Sequence, residues 1–154
     1  MKKTVKRFSI LAAVVLVLAA LLISYPALAD SDRPLTVQEL PAASQQLLQQ
    51  AFPESRVAYA KVSNDWFEKE YKVVFVDGSK VEFDRRGEWK QIECKYAQVP
   101  STLIPQPILA RVQELFGECG VTAIERDRRG YELKLDNRVE VSFDKAFRMV
   151  DLDD

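Results

Sequence analysis

Residues 71–84 read YKVVFVDGSKVEFD, and residues 131–144 read YELKLDNRVEVSFD. Each stretch opens on Tyr, turns near its middle and closes on Phe-Asp. Tyr71 and Tyr131 stand sixty residues apart, as do Asp84 and Asp144. Within the first stretch Tyr71, Val73 and Phe75 fall on one face of a strand, and Val81 and Phe83 fall on one face of its return. Asp77-Gly78 between them tolerates the positive φ of a tight hairpin turn. A pattern that returns after sixty residues marks a duplicated supersecondary unit.

The surroundings of the two stretches match as well. Leu40-Pro41 precedes residues 42–52 (AASQQLLQQAF), and Ile104-Pro105 precedes residues 108–116 (ILARVQELF). Both segments are rich in helix formers with apolar residues at helical spacing. Pro53 ends the first helix, and Gly117 and Gly120 end the second. The spacing predicts strands at 57–62, 70–76, 80–83 and 88–94. It predicts their counterparts at 121–125, 131–135, 139–143 and 147–152. The expected fold class is α+β, with two tandem units of one helix and four antiparallel strands. They span residues 40–98 and 99–154, joined by a proline-rich linker. Each helix covers one sheet face and leaves the other wet.

The doubled order of Leu/Ile-Pro, helix, Tyr-x-Val/Leu, Asp-Gly/Asn, Phe-Asp and a last apolar strand resembles the PepSY-like putative beta-lactamase-inhibitor-like family. Members are exported bacterial proteins with two tandem units. The resemblance covers residues 40–151, nearly all of the chain that follows the expected leader. It implies an α+β fold with helices packed on a curved antiparallel sheet. It carries no inhibitory motif over to this chain, because fold alone does not carry function.

The first 29 residues read as a signal peptide. Lys2, Lys3, Lys6 and Arg7 form a basic start, residues 8–23 carry no charge, and Ala27-Leu28-Ala29 offers small residues for cleavage. The uncharged run falls short of the roughly 20 residues that span a bilayer. Residues 30–39 read as a flexible lead. The leader holds four of the 22 basic residues and none of the 23 acidic ones, so its removal takes the net charge from −1 to −5. That balance disfavours nucleic acid and anionic membrane surfaces as partners. A periplasmic or secreted location also makes a Cys94–Cys119 disulfide one expectation. Such a bridge would be worth roughly 3 kcal/mol on the chain-entropy argument. Two separate thiols are the other.

Catalytic chemistry has few candidates. The chain has no His, which removes His-based triads and most zinc sites. No cofactor or metal is expected. Asp77 and Asp136 read as turn residues, and Asp84 and Asp144 as strand-end acceptors of backbone N–H groups. Glu82 and Glu140 read as partners of Lys72 and Lys134 across the wet face. The aromatics offer more. Trp89 is matched with Phe147, and Ile92 with Val150. Residues three apart on a strand face opposite ways. If Ile92 and Val150 face the helices, Trp89 and Phe147 face outward. With Trp66 and Phe67, from a longer hairpin in the first unit, they make a candidate partner-binding patch. The other reading packs them between the units. The function expected is a non-catalytic exported module binding a protein or peptide of the cell envelope, as an inhibitor or accessory factor. A small carboxylate-dependent hydrolase and a structural envelope protein are the alternatives.

Overall fold

The structure, a computed structural model, describes residues 32–64 and 68–153. The expected leader, and Trp66 and Phe67, lie outside the described residues. Among the described residues, nine strands form one antiparallel sheet in which every strand pairs with its neighbour in sequence. They are β1 (Arg33–Leu35), β2 (Val57–Asn64), β3 (Lys69–Phe75), β4 (Lys80–Phe83), β5 (Trp89–Glu93), β6 (Val121–Arg126), β7 (Gly130–Leu135), β8 (Glu140–Asp144) and β9 (Met149–Asp153). The strands expected in two units merge into a single sheet, because β5 pairs with β6 through Ile92 and Ile124.

The lead expected to be loose carries β1, which lies along β2 with Leu35 opposite Ala60. Pro34 has no N–H to donate, which suits an edge strand. Thr36 and Glu39 then close a capping box around the short 3-10 turn Val37–Glu39.

Among the described residues, two helices cover one face, α1 (Ala42–Ala51) and α2 (Gln106–Phe116). Pro41 and Pro105 stand at their N-caps, where the missing N–H costs no helical hydrogen bond. Helix α2 begins two residues before the expected start, with Pro107 accommodated in its first turn. Leu48, Ile108 and Val112 from the helices join Val73, Val81, Phe83, Ile92, Ile124, Leu133, Val141 and Phe143 from the sheet in one core. Each such side chain contributes about 1.5–3 kcal/mol by leaving water. Helix α1 also buries Ser44, whose hydroxyl donates to the Gly87 carbonyl at 3.2 Å.

The strands β2–β5 and β6–β9 repeat each other in register. Tyr71 faces Phe83 as Tyr131 faces Phe143, and Val73 faces Val81 as Leu133 faces Val141. Each half also carries a bulge in its last strand, opposite Glu82 and Phe83 in one and opposite Ser142 and Phe143 in the other.

Candidate functional site

The bulge decides where the aromatics point. Phe83 pairs with Trp89 while Glu82 pairs with Gln91, so Lys90 is the extra residue. An inserted residue reverses parity along the strand. Trp89 therefore shares the core face with Ile92, and it is 8% exposed, not outward as simple alternation predicts. Arg126 covers it further. The guanidinium carbon sits 4.2 Å from the Trp89 ring centre, and its Nε donates to the Trp89 carbonyl at 2.5 Å. Arg126 also reaches Glu88 at 3.0 Å. Trp89 thus packs at the junction of β5 and β6 and is withdrawn from a partner's reach.

The second half corrects the matching itself. Phe143 pairs with Met149, and Val141 with Leu152. Met149 and Leu152 therefore hold the places of Trp89 and Ile92, as the sixty-residue interval requires. Val150, expected to face the helices, is 63% exposed. Phe147 falls at the Gly87 position, in the β8–β9 turn, with φ +60. Its ring is half-buried on Tyr131, with centroids 5.7 Å apart.

Turns and ion pairs absorb most of the remaining candidates. Asp84 accepts from the backbone N–H groups of Arg86 at 2.8 Å and Glu88 at 3.0 Å. Asp144 does the same for Ala146 and Arg148, both at 2.9 Å. Those N–H groups and the Arg148 side chain hold the Asp144 carboxyl below the ordinary carboxylate range. Asp77 accepts from Ser79 N–H at 2.8 Å, and Asp136 from Gly120 N–H at 2.9 Å. Lys72 pairs with Glu82, and Lys134 with Glu140, each at 2.6 Å.

Cys94 and Cys119 are free thiols and not a disulfide. Cys94 follows β5 directly and lies in the core, its N–H bonded to the Thr122 carbonyl at 2.8 Å. Its register ties it to β6, three residues beyond Cys119. Burial, with Asp77 and Glu93 nearby, pushes its thiol pKa up. Among the described residues no three His, Cys, Asp or Glu side chains converge as metal ligands.

The wet face carries a charge pattern that the pairing of its strands creates. Cross-strand partners form a single row over eight strands: Lys61, Lys72, Glu82, Gln91, Glu125, Glu132, Ser142 and Asp151. On β2–β5 the row is balanced. Lys61 pairs with Asp32, and Lys72 with Glu82. On β6–β9 the matched positions become Glu125, Glu132 and Ser142. Glu125 faces Glu132 directly, and among the described residues neither makes an ion pair. These residues and Asp151 line a concavity of about 420 Å³ with Tyr131 and Val150 on its walls. Finding it needs the pairing register of seven strand pairs, which alternation within single strands does not supply.

Comparisons with known proteins place this geometry. A putative periplasmic protein from Bacteroides vulgatus ATCC 8482 is 40% identical, with a TM-score of 0.80 over 82% of this chain and 99% of that one. A putative calcium-regulated periplasmic protein from Bacteroides thetaiotaomicron is 42% identical, with a TM-score of 0.79 over the same shares. A second putative periplasmic protein of Bacteroides vulgatus ATCC 8482, of unknown function, is 38% identical, with a TM-score of 0.76 over 80% of this chain and 100% of that one. No curated protein matches. Among the described residues no helix is long and apolar enough to cross a membrane. The family model described as putative beta-lactamase-inhibitor-like, PepSY-like, matches residues 69–151, and the chain belongs to that family.

Proposed function

We propose that this chain is an exported, non-catalytic binding module. Its open sheet face takes a basic segment of another protein in the cell envelope, as an inhibitor or accessory factor. The observation that carries this reading is the change of charge along the wet-face row. Where β2–β5 place Lys72 against Glu82, β6–β9 place Glu132 against Ser142 and beside Glu125. Like charges held directly opposite on a sheet cost ~0.2–1 kcal/mol. A partner's Lys or Arg would offset that cost. The periplasmic relatives support the location.

Two finer readings belong to the same proposal. The halves are tandem copies, each of one helix and four strands, which the repeated registers support. Trp66 and Phe67, which fall between β2 and β3 in sequence, are a second contact for the partner.

The test is capture from envelope extract by the immobilised protein and by its Glu125→Lys/Glu132→Lys variant. Exposed substitutions of this kind leave stability within about 0.5 kcal/mol. A stoichiometric partner held by the parent and released by the variant is the expected result. A partner held equally by both would sink the acidic-face reading.

A further inference from the structure

Each half of the sheet has two outer edges, and three of the four are covered. The outer edge of β2 is covered by β1, with Leu35 opposite Ala60. The outer edge of β6 is covered by β5, with Ile92 opposite Ile124. These are the same place, since Ala60 pairs with Val73 as Ile124 pairs with Leu133. The inner strand of the first half, β5, is covered in turn by β6. Its counterpart β9 ends the strand order and pairs only with β8 among the described residues. The side chains register the difference. Ile92 is 0% and Trp89 8% exposed, whereas Leu152 is 44% and Met149 37% exposed. Unpaired N–H and C=O groups along an edge strand are a template for a further strand.

Resting on the binding-module reading above, we infer that β9 holds its partner by strand addition. The occupant is an extended segment that places apolar side chains beside Met149 and Leu152 and basic ones beside Asp151 and Asp153. The core-side positions ask for apolar residues because the matched edge of β5 receives Ile124 there. The wet-side positions ask for basic residues because Asp151 continues the acidic row of Glu125 and Glu132. A second copy of β9 fits poorly. Antiparallel self-pairing sets Asp against Asp or Asp against an apolar residue, and like charges directly opposite are unfavourable.

The probe is a seven-residue peptide alternating Val and Arg, compared with the same peptide N-methylated at alternate amides. N-methylation keeps every charge and removes the backbone donors of one edge. The expected result is binding of the plain peptide with slowed hydrogen exchange at β9 amides, and binding about tenfold weaker or less after methylation. Equal binding of both peptides without protection of β9 overturns strand addition and leaves the acidic-face reading standing. Binding by neither overturns both. Concentration-dependent self-association that protects β9 without peptide overturns the choice of occupant.

Discussion

Gly87 and Phe147 hold the same place in the two halves of the sheet, and the place costs them differently. Both residues have positive φ, +83 at Gly87 and +60 at Phe147. Glycine takes that conformation freely, while a bulky residue pays roughly 1–2 kcal/mol. The first half requires glycine for a second reason. A Cβ on Gly87 would lie 2.6 Å from the Pro41 Cβ and 2.8 Å from the Ser44 hydroxyl, because α1 seats on this turn. In α2 the residue three past Pro105 is Ile108, not Ser, and the β8–β9 turn carries an aromatic that packs on Tyr131. The same register thus tolerates a helix-locked turn in one half and a more exposed aromatic turn in the other. The half with the locked turn has balanced surface charge and covered edges. Among the described residues, the other half has Glu125 and Glu132 without ion pairs and an edge strand, β9, with one neighbour.

The sharpest way to break this comparison is to insert side chains where the halves disagree. Glu70 of β3 is matched by Gly130 of β7, where a Cβ would stand 1.9 Å from the Phe143 carbonyl oxygen. Backbone cannot yield that far locally. Gly130→Ala should cost more than about 3 kcal/mol in urea unfolding, the range reserved for named steric mechanisms. A loss under 1 kcal/mol would show that the β7–β8 approach is looser than described. Gly87→Ala should cost about 2–3 kcal/mol from strain and from contact with Pro41 and Ser44.

At Phe147 the order should invert. Both Phe147→Ala and Phe147→Gly lose the Tyr131 contact, but only glycine relieves the backbone. The glycine variant should therefore be the more stable of the two by about 1 kcal/mol. Equal stabilities would mean that the turn relaxes out of positive φ.

The exposed faces should respond least. Glu132→Lys with Ser142→Glu copies the Lys72–Glu82 pair into β7 and β8. Stability should rise by ~0.2–1 kcal/mol in low salt, and the basic partner proposed above should no longer be captured. The Asp144 carboxyl gives the smallest effect and a pH signature. Backbone N–H groups and Arg148 lower its pKa in the fold. Its contribution is present above the unfolded value near 3.9 and is lost as pH falls through the lower folded value. Asp144→Asn should flatten the acid limb of the melting curve below about pH 4 and lower stability above it. An unchanged acid limb would remove Asp144 from the account.

Much of the fold is legible in single segments. Alternation in Tyr71, Val73 and Phe75, or the helical spacing of Leu47, Leu48 and Ala51, is local information, and the structure follows it. The Lys72–Glu82 and Lys134–Glu140 pairs follow from hairpin register set by Asp77-Gly78 and Asp136-Asn137. Trp89 defeats alternation, because Lys90 is an insertion that no residue type announces. The sixty-residue interval held the remedy. It pairs Trp89 with Met149 and Gly87 with Phe147, whereas matching aromatic to aromatic shifts the last strand by two. The Arg126–Trp89 contact has no local signal, because it joins strands separated by α2. β1 has no local signal either, because three residues around a proline carry no strand period of their own.

The meander has a consequence for how the chain reaches this state. Hairpins β2–β3, β3–β4, β4–β5 and their counterparts join residues close in sequence, and such contacts form fast. Two pairings differ. β1 meets β2 only across α1, and β5 meets β6 only across residues 94–120 and α2. Each must first close a long loop, whose entropy is lost before any contact compensates it. The two seams therefore set the pace of folding. Ile92 and Ile124, facing each other across the β5–β6 seam, mark the step at which two independently zippered sheets become one cooperative molecule.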